Sequence, residues 1–286
     1  MNANICKTTI MKKVIFLCLV FSSSLIVLQA QRLEVGVMGG YTVYSGDLSR
    51  NEFGLYFDNA GLAYGVFARY DVVKMLSAKL SINYADVSGD DANGSNPQRD
   101  LNFRSDVFEI TLVGELNLYG VAQKNDNFLF VPYLFGGVGI FNYSPEGRFE
   151  DTFVELQPLG TEGQGLPGYE APYQLTQFMI PLGLGAKMTL NNKITIGVEV
   201  GARRLFTDHF DDISGAEVNY RDILRGNGTL AAQLSNKTID PNTEVDVSYI
   251  RGGDAKDWYF ISGLSVAFRL NAGSRGGTPL DCFKGF

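Results

Sequence analysis

From Leu76 to Tyr84 the chain reads Leu-Ser-Ala-Lys-Leu-Ser-Ile-Asn-Tyr, with an apolar residue at every second position and a polar one between. The stretches from Phe108 to Tyr119 and from Ile194 to Arg203 alternate in the same way. Successive side chains of a strand point to opposite faces, so this period builds one oily and one wet face, which a helix cannot do. Length narrows the choice. Strands of soluble sandwiches usually run about five or six residues, whereas a tilted strand crossing a bilayer needs about 9–11. The pattern predicts membrane-crossing strands.

Eight such segments can be placed, at 33–43, 61–70, 75–84, 107–119, 128–143, 173–190, 193–206 and 257–270. The connections after the second, fourth and sixth are short: Asp71 to Lys74, Gly120 to Asn127, and Asn191-Asn192. Those after the first, third, fifth and seventh are long, roughly 17 to 50 residues, an asymmetry typical of outer-membrane barrels. The expected fold is therefore all-β: an eight-stranded antiparallel transmembrane β-barrel with long extracellular loops and short periplasmic turns. An even strand number puts both ends of the chain in the periplasm.

Composition fits this class. Glycine (33) and aromatics (12%) are plentiful, and the mean hydropathy is -0.00, because alternating strands conceal their apolarity from an average. The outward set would be Phe108, Ile110, Leu112, Leu116, Leu118, Phe178, Ile180, Leu182 and Leu184, facing outer-membrane lipid. Tyr41, Tyr70, Tyr84, Tyr119, Tyr133, Tyr143, Trp258 and Phe260 lie near strand ends, where interfacial girdles belong. The inward set carries Arg69, Lys79, Glu109, Glu115, Lys187, Glu199, Arg203 and Arg269. Eight strands leave an interior just wide enough for side chains to fill, so these charges are expected to pair as an ionic plug. Pro132 and Pro181 cannot donate to a ladder and should mark a bulge or a strand end.

The two ends of the chain read differently. Met11-Lys12-Lys13, an apolar run from Val14 to Leu28 and a small residue before Gln31 compose a secretory signal peptide over 1–30, with Met11 a possible alternative start. Removing it takes away three lysines and no acidic residue, leaving 21 basic against 31 acidic residues and a net charge of -10. No basic footprint for nucleic acid remains. The division expected is a leader (1–30), a barrel (31–270) and a periplasmic tail (271–286). Cys282 is the one cysteine beyond the leader, flanked by Leu280, Phe283 and Phe286. A lone thiol in an oxidising compartment suggests intermolecular pairing or a free reactive group. These four residues are the candidate partner-binding tip.

Signals for chemistry are sparse. The glycine-rich Pro158 to Gly168 lacks the Gly-Lys-Ser/Thr ending and helix of a phosphate loop, and reads as a turn-rich external loop. The one histidine, His209, sits in Thr-Asp-His-Phe-Asp-Asp with Ser214 nearby, which raises a surface enzyme as an alternative, although neighbourhood in sequence is not triad geometry. The carboxylates there and in Ser88 to Gly94 lack metal-binding spacing and read as solvated acidic loops. No cofactor, metal or catalytic residue is predicted.

The segments GVMGGYTVYSGDL (36–48), GVFARYD (65–71), SGDDANG (88–94), NFRSDVFEI (102–110), PYLFGGVGIF (132–141), ELQPLGTEGQGL (155–166), PLGLGAKMTL (181–190), FTDHFDDIS (206–214) and KDWYFISGLSV (256–266) recur in order along the chain. Together they resemble the PorG-type outer-membrane barrels of the Bacteroidetes type IX (Por) secretion system. The resemblance implies a non-enzymatic component that docks the periplasmic ring, made of a lipoprotein and its soluble partner, at the outer membrane. An intermolecular disulfide through Cys282 is one way to make that contact. The other readings are a small outer-membrane channel and a surface enzyme centred on His209.

Overall fold

A computed structural model describes residues 33–49, 57–73, 75–94, 96–118, 128–190, 193–240, 242–253 and 256–270. The leader (1–30), most of the fourth-to-fifth strand turn, Asn191-Asn192, and the tail with Leu280, Cys282, Phe283 and Phe286 lie outside the described residues.

The strands are β1 (Leu33–Ser45), β2 (Gly61–Val73), β3 (Leu76–Asp90), β4 (Asn102–Asn117), β5 (Phe128–Phe149), β6 (Thr152–Glu155), β7 (Thr176–Leu190), β8 (Ile194–Leu205), β9 (Glu217–Asn219), β10 (Ser248–Ile250) and β11 (Trp258–Arg269), with helices α1 (Tyr220–Gly226) and α2 (Thr229–Ser235) between β9 and β10. Eight of the strands form one closed antiparallel ring, β1-β2-β3-β4-β5-β7-β8-β11, which β11 seals against β1. No edge is left inside a membrane, where an unpaired backbone group would have no partner. The short β6 only folds back on the end of β5.

Parity sorts the wall as the alternation predicts. Leu62, Val66, Leu80, Phe108, Leu112, Leu116, Phe178, Leu182, Leu184, Val198 and Leu264 are exposed on the outside. The odd residues of β4, such as Glu109, Thr111 and Glu115, are buried inside. An exterior this apolar around a polar interior is stable only in lipid. Tyr41 and the Tyr64–Tyr84 pair, with ring centroids 5.3 Å apart, stand on the outer surface. Three of the expected girdle residues do not: Tyr133 and Tyr143 turn inward, and Phe260 is covered.

Three strands run further than the alternation suggests. β3 and β4 stay paired to Asp90↔Asn102, and β4 and β5 to Arg104↔Glu146. The third connection therefore shrinks to 91–101, well below the length expected. The reason is a change of phase. Up to Tyr84 the apolar residues of β3 face out. Beyond it the buried inner face carries Ala85 and Val87, while the outer face carries Asp86, Ser88 and Asp90. β4 and β5 switch in the same way, with Phe103, Val107, Phe141 and Tyr143 inside and Arg104, Asp106, Asn142 and Ser144 outside. Above this line the wall has the polarity of a water-soluble barrel, which marks where the strands leave the bilayer.

The prolines behave unequally. Pro132 lies inside β5, in register with Ala186 of β7, and marks only the point where the β4–β5 ladder stops, one residue past Asn117↔Tyr133. At Pro181 there is neither a bulge nor an end. The β5–β7 ladder skips the two positions at Pro181 and Ile180 and resumes at Gly139↔Met179 in unchanged register.

All four long connections leave one end of the barrel, and Leu33 and Leu270 meet at the other, joined by a 2.9 Å backbone hydrogen bond. The 206–257 connection folds into its own small unit. Val218, Tyr220, Ile223, Ala231 and Ala232 form a buried cluster against which Leu159, Tyr169 and Tyr249 pack. Asn219 caps α1 by accepting from the backbone N–H groups of Arg221 and Asp222.

Candidate functional site

The lumen is built in layers from the inward positions. Nearest the short turns, Glu34 on β1 meets Arg269 at 2.6 Å and Arg69 at 3.1 Å. Glu115 lies beside Arg69 at 2.9 Å, Lys187 at 2.7 Å and Lys79 at 3.9 Å. In the next layer Lys79 meets Glu199 at 2.6 Å, and the Tyr133 hydroxyl donates to the same carboxylate at 2.9 Å. Higher again, Glu109 accepts from Arg203 at 3.1 Å, the Tyr259 hydroxyl at 2.6 Å and the Asn83 amide at 2.7 Å. Phe67 and Phe135 fill the spaces between, each under the Lys79 ammonium at about 5.5 Å or less. Burying so many charges is tolerable only when each finds partners. Here they do, because the staggered strands set acids and bases at matching heights.

The structure thus places Arg69, Lys79, Glu115, Lys187, Glu199, Arg203 and Arg269 in the lumen; shared carboxylates join all of them but Arg203, which pairs with Glu109 in a separate layer. Glu34 belongs to the same network and escaped the sequence reading. Its signal was present: Glu34 alternates between Leu33 and Val35 as the interior residues do.

Above the charges lies an aromatic layer. Phe210, fully buried, stacks on Tyr259 at 5.4 Å and packs against Phe141, Phe103, Tyr143 and Tyr44. Leu205, Met179 and Ile213 complete it. The 206–257 connection contributes Phe210 and so closes the barrel mouth as a lid.

A second polar cluster holds this lid down, and it overturns the solvated reading of the acidic loops. Asp211 and Asp212 are 1% and 0% exposed. Arg251 donates to Asp212 and Thr161, and its guanidinium lies 3.4 Å from Glu162. Tyr173 donates to Asp212 at 2.7 Å. Tyr44 contacts Asp211 at 2.6 Å and Asp257 at 3.0 Å. Burial, reinforced by Asp47 and by their own mutual repulsion, pushes the Asp211 and Asp257 carboxyls well above the usual carboxylate range. Burial also raises Glu162, against the opposing pull of Arg251 and Ser214. In the other acidic loop Asp91 is fully buried, takes the Arg99 guanidinium at 2.7 Å, and accepts from the Leu101 N–H. The glycine-rich stretch packs inward as well. Thr161, Glu162 and Gln164 are buried between turns in which Gly163 and Gly165 take positive φ.

His209 does not assemble a nucleophilic site. Its ring stacks on Tyr173 at 4.7 Å, and its Nδ1 lies 3.7 Å from Glu162. Ser214 donates at 2.6 Å directly to Glu162. A triad needs the imidazole between hydroxyl and acid; here the carboxylate stands between hydroxyl and imidazole. Among the described residues no group of three or more His, Cys, Asp or Glu is disposed to hold a metal ion.

Several solved structures are similar to this one. Neisserial surface protein A is 9% identical with a TM-score of 0.39, over 82% of this chain and 95% of that one. The outer membrane protein OprG from Pseudomonas aeruginosa is 12% identical with a TM-score of 0.40, over 82% and 95%. Ail, the attachment invasion locus protein of Yersinia pestis, is 9% identical with a TM-score of 0.34, over 84% and 97%. No curated protein matches the sequence. One family does match, from residue 11 through β8 and about half of the lid, and the chain belongs to it: the family described as a domain of unknown function, DUF6089, over residues 11–232.

Proposed function

We propose that this protein is a sealed barrel of a bacterial outer membrane that serves a protein secretion apparatus of the type IX kind as a docking point for its periplasmic ring. The observation that carries this reading is the filled lumen. Ionic layers, an aromatic layer and a folded lid occupy the path from Glu34 to Asp257, so what the molecule offers to others is its two ends. The resemblance across the barrel and loop segments selects the secretion role among anchoring roles. The short-turn end would face the periplasm, with Leu280, Cys282, Phe283 and Phe286 following β11 on that side.

The test is affinity capture of the tagged full-length protein from membranes cross-linked in the cell, followed by mass spectrometry and a non-reducing gel. The expected result is recovery of a ring lipoprotein and its soluble partner. A thiol-dependent high-mass band that Cys282→Ser removes would locate the contact in the tail. Recovery of neither ring component would end the docking reading.

A further inference from the structure

We propose that the lid over the long-loop end is a proton-dependent closure, latched where Tyr44 joins Asp211 to Asp257 and released when the proton they share is lost. Proton counting carries this. The Tyr44 hydroxyl is 2.6 Å from Asp211 Oδ2 and 3.0 Å from Asp257 Oδ1. A phenol has one hydrogen to donate, and two ionised carboxylates have none, so the second contact requires a proton on one of the acids. Both carboxyls are 1% exposed, so bulk water does not supply the missing hydrogen.

The cations nearby are engaged elsewhere, which leaves the proton as the balancing cation. Arg99, from the 91–101 connection, is paired with Asp91 and donates to the Asp47 and Arg251 carbonyl oxygens, not to the latch carboxyls. From the β1–β2 connection comes another acid, Asp47, bonded to the Gly253 N–H at 2.8 Å. From the lid come Asp208, paired with Lys256 at 3.6 Å, and Arg251, which is already engaged by Asp212 and Glu162. From the 150–175 connection comes Glu162, with His209 beside it. Below, Glu109 and Arg203 satisfy each other. Space is equally tight: a Cβ on Gly46 would run into the Asp257 carboxylate and the Tyr44 hydroxyl.

The three latch residues come from three places, the end of β1, the lid at Asp211 and the approach to β11. Ionising both acids sets like charges against each other across the lid's seam. Because the closed state keeps the proton to a higher pH than an open, hydrated one, closure is favoured in acid and is lost as pH rises through the raised pKa of the closed form.

Trp258 is the one tryptophan of the chain. Half-buried on the outer side of the wall, it follows Asp257 and pairs with Ser45, the residue after Tyr44, so parting of the latch loosens the strand ends that cover it. The experiment is acrylamide quenching of the refolded full-length barrel from about pH 5 to about pH 9, comparing wild type with Asp257→Asn and Asp211→Asn. Each amide can still accept the backbone bond its carboxyl accepts, from Phe210 or Ile213, and two independent variants guard against a failure of one to assemble. The quenching constant of wild type is expected at least to double across the range, while the variants keep the low-pH value throughout. A wild-type constant indifferent to pH would overturn the proposal. So would a rise retained in both variants, which would move the titrating group to Glu162, or variants already as open in acid as wild type is in base.

Discussion

Replacing Glu115 with Ala is expected to destabilise the barrel by about 3–5 kcal/mol, the scale for breaking a buried ion pair by removing one partner. Glu115 is fully buried and lies against Arg69, Lys187 and Lys79. Its loss strands cations in a space walled by Phe67, Phe135 and Tyr133, where the nearest remaining acids, Glu34 and Glu199, already hold Arg269 and the Tyr133 hydroxyl. Glu115→Gln keeps the shape and accepts one hydrogen bond, so a smaller loss is expected from it. Urea unfolding of the refolded barrel in lipid vesicles, read by the shift between compact and unfolded bands on a gel, measures both. A loss below about 1 kcal/mol for Ala, the scale of an exposed pair, would mean that the lumen is wet.

The second large effect is expected at Phe210→Ala, at about 3–5 kcal/mol for a buried aromatic truncated in a packed layer. Phe210 joins rings carried by β1, β4, β5 and β11 to the lid, and its backbone N–H also binds Asp257. The loss should fall on the lid more than on the barrel, because the strand ladders below do not depend on this ring. Limited proteolysis would then cut within 206–257 in the variant while the barrel strands stay protected. Equal protection of the lid in wild type and variant would show that the aromatic layer does not hold it.

The membrane-embedded half of the fold was written plainly in the sequence. A period of two assigns each residue of a strand to lipid or lumen, so Leu112 and Glu115 could be placed without coordinates. Which acid meets which base could not. Arg69 and Glu115 lie on β2 and β4, and their meeting depends on strand stagger and side-chain reach across the lumen. The extended ends of β3, β4 and β5 were missed for a related reason. Their apolar residues change parity at Tyr84–Ala85, at Val107–Phe108 and at Ile140–Phe141, which interrupts a search for one continuous phase. The parity change is itself a boundary marker and could have been read as one.

The lid was the least legible part. Asp211 and Asp212 resemble any solvated acidic run, and what buries them are Tyr44, Tyr173 and Arg251, each at least 30 positions away in sequence. Local pattern carries no information about such partners. The same holds for His209, whose carboxylate neighbour Glu162 lies in a different long connection.

The central claim is that the interior is a packed plug and that the barrel works through its ends. Single-channel recording of the purified, refolded protein in planar bilayers tests it most directly. The account predicts a silent bilayer under applied voltage in salt solution, with insertion verified by protection of the barrel from protease. Reproducible ohmic steps from the wild-type barrel would contradict it.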